Sequence, residues 1–288
     1  MLISTNLKPF FADLGFERML EILSEAGFEA LDFGLNLPEF MGDLTEEFFL
    51  DAKDKIAAHG LVIGQAHSPF PSNFEDEAKT ARRFDQIVKS IEYAAYLGVP
   101  YLVIHPLKPY GGIEAEDPER FFEMNLEFYR RLIPHAKRCG VGIAIENCVG
   151  SLTRSPKTLK RLVRELDDEV FSVCFDVGHA NYAMHKHPEL SLSVDGMIRE
   201  LGNLITCTHI HDNDGTRDGH TLPYYGNIDW DSVCRALADI GYSGNLNYES
   251  SNFSSTLPPE LDSAAAKYMA SVARYLKDQI DSYKSKSS

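Results

Sequence analysis

Residues 118–147 read PERFFEMNLEFYRRLIPHAKRCGVGIAIEN. Pro118 suits a first helical turn, where its missing N–H has no partner to lose. The apolar residues after it recur at helical spacing, and Gly140 stands where a left-handed residue closes a helix. Residues 142–145 are then short and wholly apolar, with Glu146 directly behind them. Continuous hydrophobicity over so few positions suits a parallel strand covered on both faces. The same helix-then-strand unit recurs in both directions. Strand candidates fall at 2–5, 30–33, 61–66, 101–104, 142–145, 172–175, 204–210 and 245–248. Helical patterns fall at 16–26, 46–58, 75–97, 118–139, 155–166, 188–201, 230–240 and 259–282. Eight strands in strict alternation with eight helices predict either an open doubly wound sheet or a closed (β/α)8 barrel. No GxGxxG follows any strand, and 288 residues approach the ~250 typical of the barrel. The reading is one α/β domain over residues 1–288, a (β/α)8 barrel, with a polar tail at 282–288 expected to fray.

Composition narrows the function. Against 43 acidic residues stand 28 basic ones, a formal charge of −15. That balance argues against duplex DNA or an anionic membrane as principal partner, since both require clustered Lys and Arg. The five cysteines form no CxxC pair, which suits reduced thiols in a cytoplasmic protein. The N-terminus shows no signal peptide, and no run of about 18 apolar residues predicts a membrane span. The assembly state stays open, with homodimer and homotetramer among the expectations.

The chemistry lies just past the strand ends. His67 follows the third strand, His105 the fourth and Glu146 the fifth. Asp176 and His179 follow the sixth, His209 and His211 close the seventh, and Asp218 and His220 sit in the loop behind it. Glu249 follows the eighth. In a barrel all of these face the C-terminal rim, where active sites of that architecture are built. A single His or Glu at such a place is more often a hydrogen-bonded structural group or a helix cap. Here the pattern repeats after six successive strands, and capping would favour Ser, Thr, Asn and Asp. Several buried carboxylates near one axis need a cation, so the set predicts a divalent-metal site. His59, His135, His185 and His187 are expected to be structural, and Asp32 is left between a structural and a rim role. Phe10, Phe33, Phe70, Tyr110, Tyr224, Tyr225 and Trp230 are candidates for pocket walls.

Several motifs together carry a likeness: IEN at Glu146, FDVGH from Phe175 to His179, HIHDND from His209, DGH from Asp218 to His220, and NIDW from Asn227. On these the chain resembles the xylose isomerase-like TIM-barrel superfamily, which includes sugar isomerases, ketose 3-epimerases, inosose dehydratase and endonuclease IV. The epimerase branch implies metal ligands at Glu146, Asp176, His211 and Glu249, with His209 behind them. It also implies substrate contacts at His179 and Arg217. A further substrate-binding Glu of that branch falls here on Leu152. The endonuclease branch implies three zinc ions on His67, His105, Glu146, Asp176, His179, His211, Asp218, His220 and Glu249.

The expected activity is isomerisation or epimerisation of a sugar, sugar phosphate or other polyol. Glu146 and Glu249 would move protons about a metal-stabilised enediolate, while His67 and His105 would contact substrate. Mn²⁺, Mg²⁺ or Co²⁺ suits the oxygen-rich ligands, with Zn²⁺ less favoured. His67, His105, His179, Asp218 and His220 form a candidate second metal site. The alternatives are a trinuclear zinc phosphodiesterase acting on abasic DNA, an inosose or keto-acid dehydratase, and a sugar-binding barrel without catalysis.

Overall fold

The computed structural model describes residues 1–7, 14–73, 77–109 and 111–287. Eight parallel strands close a barrel: β1 (Ile3–Asn6), β2 (Ala30–Gly34), β3 (Val62–His67), β5 (Tyr101–Ile104), β7 (Gly142–Glu146), β8 (Phe171–Asp176), β9 (Ile205–Ile210) and β10 (Leu246–Tyr248). Two further short strands, β4 (Ser72–Asn73) and β6 (Leu107–Lys108), pair beside the barrel and were not foreseen. Closure comes from β1, which pairs with β2 on one side and β10 on the other. Among the described residues no helix is long and apolar enough to cross a membrane.

Two hydrophobic layers follow from the strand period of two. Outward side chains such as Leu102, Ile143, Ile145 and Val173 join the helices in the main core. Inward, Val103, Ala144, Cys174 and Cys207 form a small apolar plug. Two residues further along the same strands come His105, Glu146, Asp176 and His209. Side chains two apart share a face, so these four are carried above the plug, toward the C-terminal mouth.

The helices depart from expectation in places. The run expected at 118–139 is two helices, Pro118–Arg130 and Ile133–Cys139. Pro134 has no N–H, and its ring clashes with the carbonyl four residues back, which breaks a continuous helix there. Val177–Lys186, which is not among the eight expected helical patterns, is a helix, whose first turn Asp176 caps by accepting the His179 N–H at 2.7 Å. The last helix, Asp262–Ser287, runs through the segment read as a fraying tail.

Candidate metal centre

The strand ends bring together more than four ligands. Asp176 and His209 are direct register partners on β8 and β9. His209 Nδ1 lies 3.6 Å from Glu146 Oε1, 3.7 Å from Asp176 Oδ2 and 3.7 Å from Glu249 Oε2. His209 is buried, and neither of its ring nitrogens has a hydrogen-bond partner. Three carboxylate oxygens around one unpartnered nitrogen are too far for hydrogen bonds. Their spacing approaches the ~3–3.4 Å that separates donors sharing an ion at about 2.1 Å. An orphaned nitrogen among ionised oxygens fits a divalent metal held by Glu146, Asp176, His209 and Glu249.

The resemblance puts the imidazole ligand at His211, with His209 behind it. His211 lies past the end of β9, with Nε2 2.9 Å from Asp176 Oδ1 and 3.1 Å from Asp176 Oδ2. It belongs to a second group of donors with His179, Asp218 and His220. Asp218 Oδ2 stands 3.3 Å from His179 Nε2 and 3.2 Å from His220 Nε2. A third group joins the first through Glu146. Glu146 Oε2 is 3.3 Å from His67 Nε2 and 2.9 Å from His105 Nε2. Glycine at 178 makes room for the His211 ring, because an added Cβ would come within 2.0 Å of it.

Charge in the metal-free pocket is shared between carboxylates and imidazoles. Burial opposes ionisation of Glu146, but the charges of His105 and His209 and hydrogen bonds from His105 and His179 hold it well below the usual range. Burial likewise opposes the charge of His179, yet Asp176, Asp218 and Glu146 raise it well above the ordinary imidazole value. Against the same penalty Asp218, with Glu249 and Asp176, lifts His220 to about 9. His105 goes the other way, because burial outweighs Glu146 and lowers it. A cation entering this pocket displaces protons from the raised imidazoles.

The supporting groups were largely missed. Asp32 Oδ2 accepts from Gln65 Nε2 and Asn247 Nδ2, each at 2.9 Å, and lies 3.4 Å from His209 Nε2. Asn6 Nδ2 donates to Glu249 Oε1 at 3.3 Å. Asp212 accepts from Trp230 Nε1 at 2.8 Å and from the Tyr224 N–H at 2.9 Å, which pins the loop carrying Asp218 and His220. Asn6 ends β1, as Glu146 and Asp176 end their strands, whereas Asp32 lies in the middle of β2.

The centre opens into a cavity of about 240 Å³. Phe70 forms one wall, stacked on His105 with ring centroids 4.3 Å apart. Phe33 and Trp230 are instead buried in the core, Tyr224 and Tyr225 are exposed, and Phe10 and Tyr110 lie outside the described residues. Arg217, expected against substrate oxygens, is exposed on the 212–229 loop and does not line the cavity. Its chain neighbour Asp218 does.

Comparison with known proteins agrees with this architecture. Residues 20–278 match the family described as xylose isomerase-like TIM barrel. An uncharacterised protein, y4fM, of Sinorhizobium fredii is 27% identical over 260 residues, covering 82% of this chain and 81% of that one. The D-psicose 3-epimerase of Ruminiclostridium cellulolyticum is 22% identical over 242 residues, covering 81% and 78%. The crystal structure of a D-tagatose 3-epimerase-like protein superposes with a TM-score of 0.77 over 100% of both chains, at 21% identity.

Proposed function

Because the chain belongs to the xylose isomerase-like TIM-barrel family, we propose that it is a divalent-metal-dependent isomerase or epimerase acting on a sugar or sugar phosphate. The observation that carries this is the convergence of Glu146 Oε1, Asp176 Oδ2 and Glu249 Oε2 on His209 Nδ1. The similarity to a D-psicose 3-epimerase supports the substrate class. A metal held by those four residues supplies a Lewis acid for the substrate's carbonyl oxygen. Three oxygens and one imidazole favour Mn²⁺, Mg²⁺ or Co²⁺ over Zn²⁺.

The protein's own groups move the proton. Glu146 and Glu249 each turn one oxygen toward His209 and hold the other elsewhere: Glu146 Oε2 by His67 and His105, Glu249 Oε1 by Asn6. Glu146, held ionised, removes the proton beside the ketone. Glu249, once it has taken up a proton from solvent, returns it to the opposite face in an epimerisation, or to the neighbouring carbon in an isomerisation, and Glu146 releases its proton to solvent to reset the site. Such positioned acid/base groups contribute about 10²–10⁴-fold each. His67, His105 and His179 line the cavity and orient hydroxyls, while Phe70 covers an apolar face of the sugar. The cavity suits one small molecule. The test is exchange of the α-proton of a ketose with solvent deuterium in the Mn²⁺-loaded protein. Glu146→Gln is expected to abolish exchange with the fold intact; retained exchange removes Glu146 from the proton-transfer role.

One observation favours a second reading. The three adjoining donor groups, around His67, around Asp176 and around Asp218, match the ligand classes of a trinuclear zinc phosphodiesterase. Against it stand the charge of −15 and the absence of any Lys or Arg from the cavity lining among the described residues. Three zinc ions per chain together with cleavage of abasic-site DNA would establish the phosphodiesterase.

A further inference from the structure

A separate pocket of about 340 Å³ lies between the β2 and β3 loops and the start of the helix Glu77–Leu97. It is lined by Met41, Pro71, Lys79, Arg82, Arg83 and Gln86. In a chain with 15 more acidic than basic residues, three cations and no carboxylate line it among the described residues. Arg83 Nη1 is shielded from solvent and has no hydrogen-bond partner among the described residues. Most buried donors are paired, and leaving one unmade forfeits the water it gave up. Burial and the adjacent charge of Arg82 both lower the Arg83 pKa, and no acid among the described residues offsets them. A guanidinium does not deprotonate in proteins, so the charge stays and calls for a counter-ion. Lys79 has a partner of its own, which leaves the two arginines facing the pocket.

We propose that this pocket is an oxyanion site that takes the phosphate group of a small molecule, gripped by Arg82 and Arg83. Two adjacent guanidinium forks match a phosphate dianion in charge and in planar, bidentate geometry. The site is distinct from the metal cavity but touches it through the chain: Phe70 walls that cavity and Pro71 lines this pocket. Gln86 supplies a neutral donor beside the arginines.

The experiment is calorimetric titration of inorganic phosphate into the full chain at constant ionic strength, with Arg83→Met and Arg82→Gln alongside. Saturable binding is expected in the wild type, weakened roughly 10- to 100-fold in Arg83→Met. At ten times its Kd, phosphate should raise the wild-type Tm by about 3 °C and that of Arg83→Met by no more than about 1 °C. Without phosphate, Arg83→Met should melt no lower than the wild type, since Met keeps the apolar stem and removes an unpaired charge. Arg82→Gln keeps Arg83 in place and should show an intermediate affinity. Equal binding in Arg83→Met would place the anion elsewhere, the metal centre included, and overturn the proposal. So would an unsaturable titration, acetate binding as tightly as phosphate, or a lower Tm for Arg83→Met in phosphate-free buffer.

Discussion

The register of the HIHDND segment can be tested directly by removing each histidine in turn. His209 and His211 are both fully buried, so His209→Ala and His211→Ala carry comparable packing losses. Their effects on the metal should differ. A four-ligand site of zinc type gathers about 10–16 kcal/mol in all, so one ligand accounts for roughly 3 kcal/mol, or about 100-fold in affinity. His209 faces three carboxylate oxygens at 3.6–3.7 Å, and nothing else present replaces its nitrogen. In the proposed ligand set His211 reaches that ion through Asp176, which other groups also hold. Its Oδ1 accepts the His179 N–H at 2.7 Å, and its backbone N–H donates to Asn147 Oδ1 at 2.6 Å. A residue that acts through a ligand costs about 10–100-fold, and those two bonds put His211 at the lower end. The assay is competition titration of Mn²⁺ or Co²⁺ against a chelator, read on the tightest-bound equivalent and well below each variant's Tm. If His211→Ala weakens that equivalent more than His209→Ala does, the ligand set built on His209 is wrong.

Three further outcomes follow from the same geometry. Asp32→Asn keeps an oxygen for Gln65 and Asn247 but removes the charge 3.4 Å from His209 Nε2, and should weaken metal binding about tenfold or more without unfolding the chain; unchanged affinity would make Asp32 a purely structural group. In the metal-free protein His220 is raised to about 9, so the stability it contributes is complete below about pH 6.5 and is lost as pH rises through 9. Thermal melts in chelator should therefore show Tm falling over that window, while the metal-loaded protein, which must shed those protons to bind, holds or gains; parallel profiles would contradict this. Gly178→Ala drives a Cβ to within 2.0 Å of the His211 ring and should cost roughly 1–3 kcal/mol by overpacking, measured by denaturant unfolding; a neutral result would mean that the ring moves aside freely.

The barrel was legible because most units repeat one local instruction: an amphipathic run, a glycine stop, a short apolar strand, then a polar residue; the helix Pro156–Leu166 departs from it by stopping at Asp167. Repetition also carried the centre, since no single His or Glu at a strand end is informative. What stayed hidden depends on phase. Cys207, His209 and His211 all alternate onto one strand face, and the sequence alone does not say where β9 ends. The pairing of Asp176 with His209 sets His209 level with that carboxylate, and His211 lies past the end of the strand. Asp32 stayed between a structural and a rim role for a related reason. A carboxylate in the middle of β2 has no neighbour in sequence that explains it, and its partners Gln65 and Asn247 come from β3 and β10. The Arg217 expectation rests on the loop: a six-residue offset from His211 carries a side chain inward only if the intervening backbone turns it so. Here Asp214 receives the Thr216 N–H at 2.9 Å in a tight local turn, Arg217 is exposed, and its neighbour Asp218 lines the cavity. Ligands on strands are thus readable by period, whereas groups on the rim loops depend on turn geometry that no spacing rule encodes. A substrate contact inferred by offset alone needs the loop's own hydrogen bonds before it can be assigned.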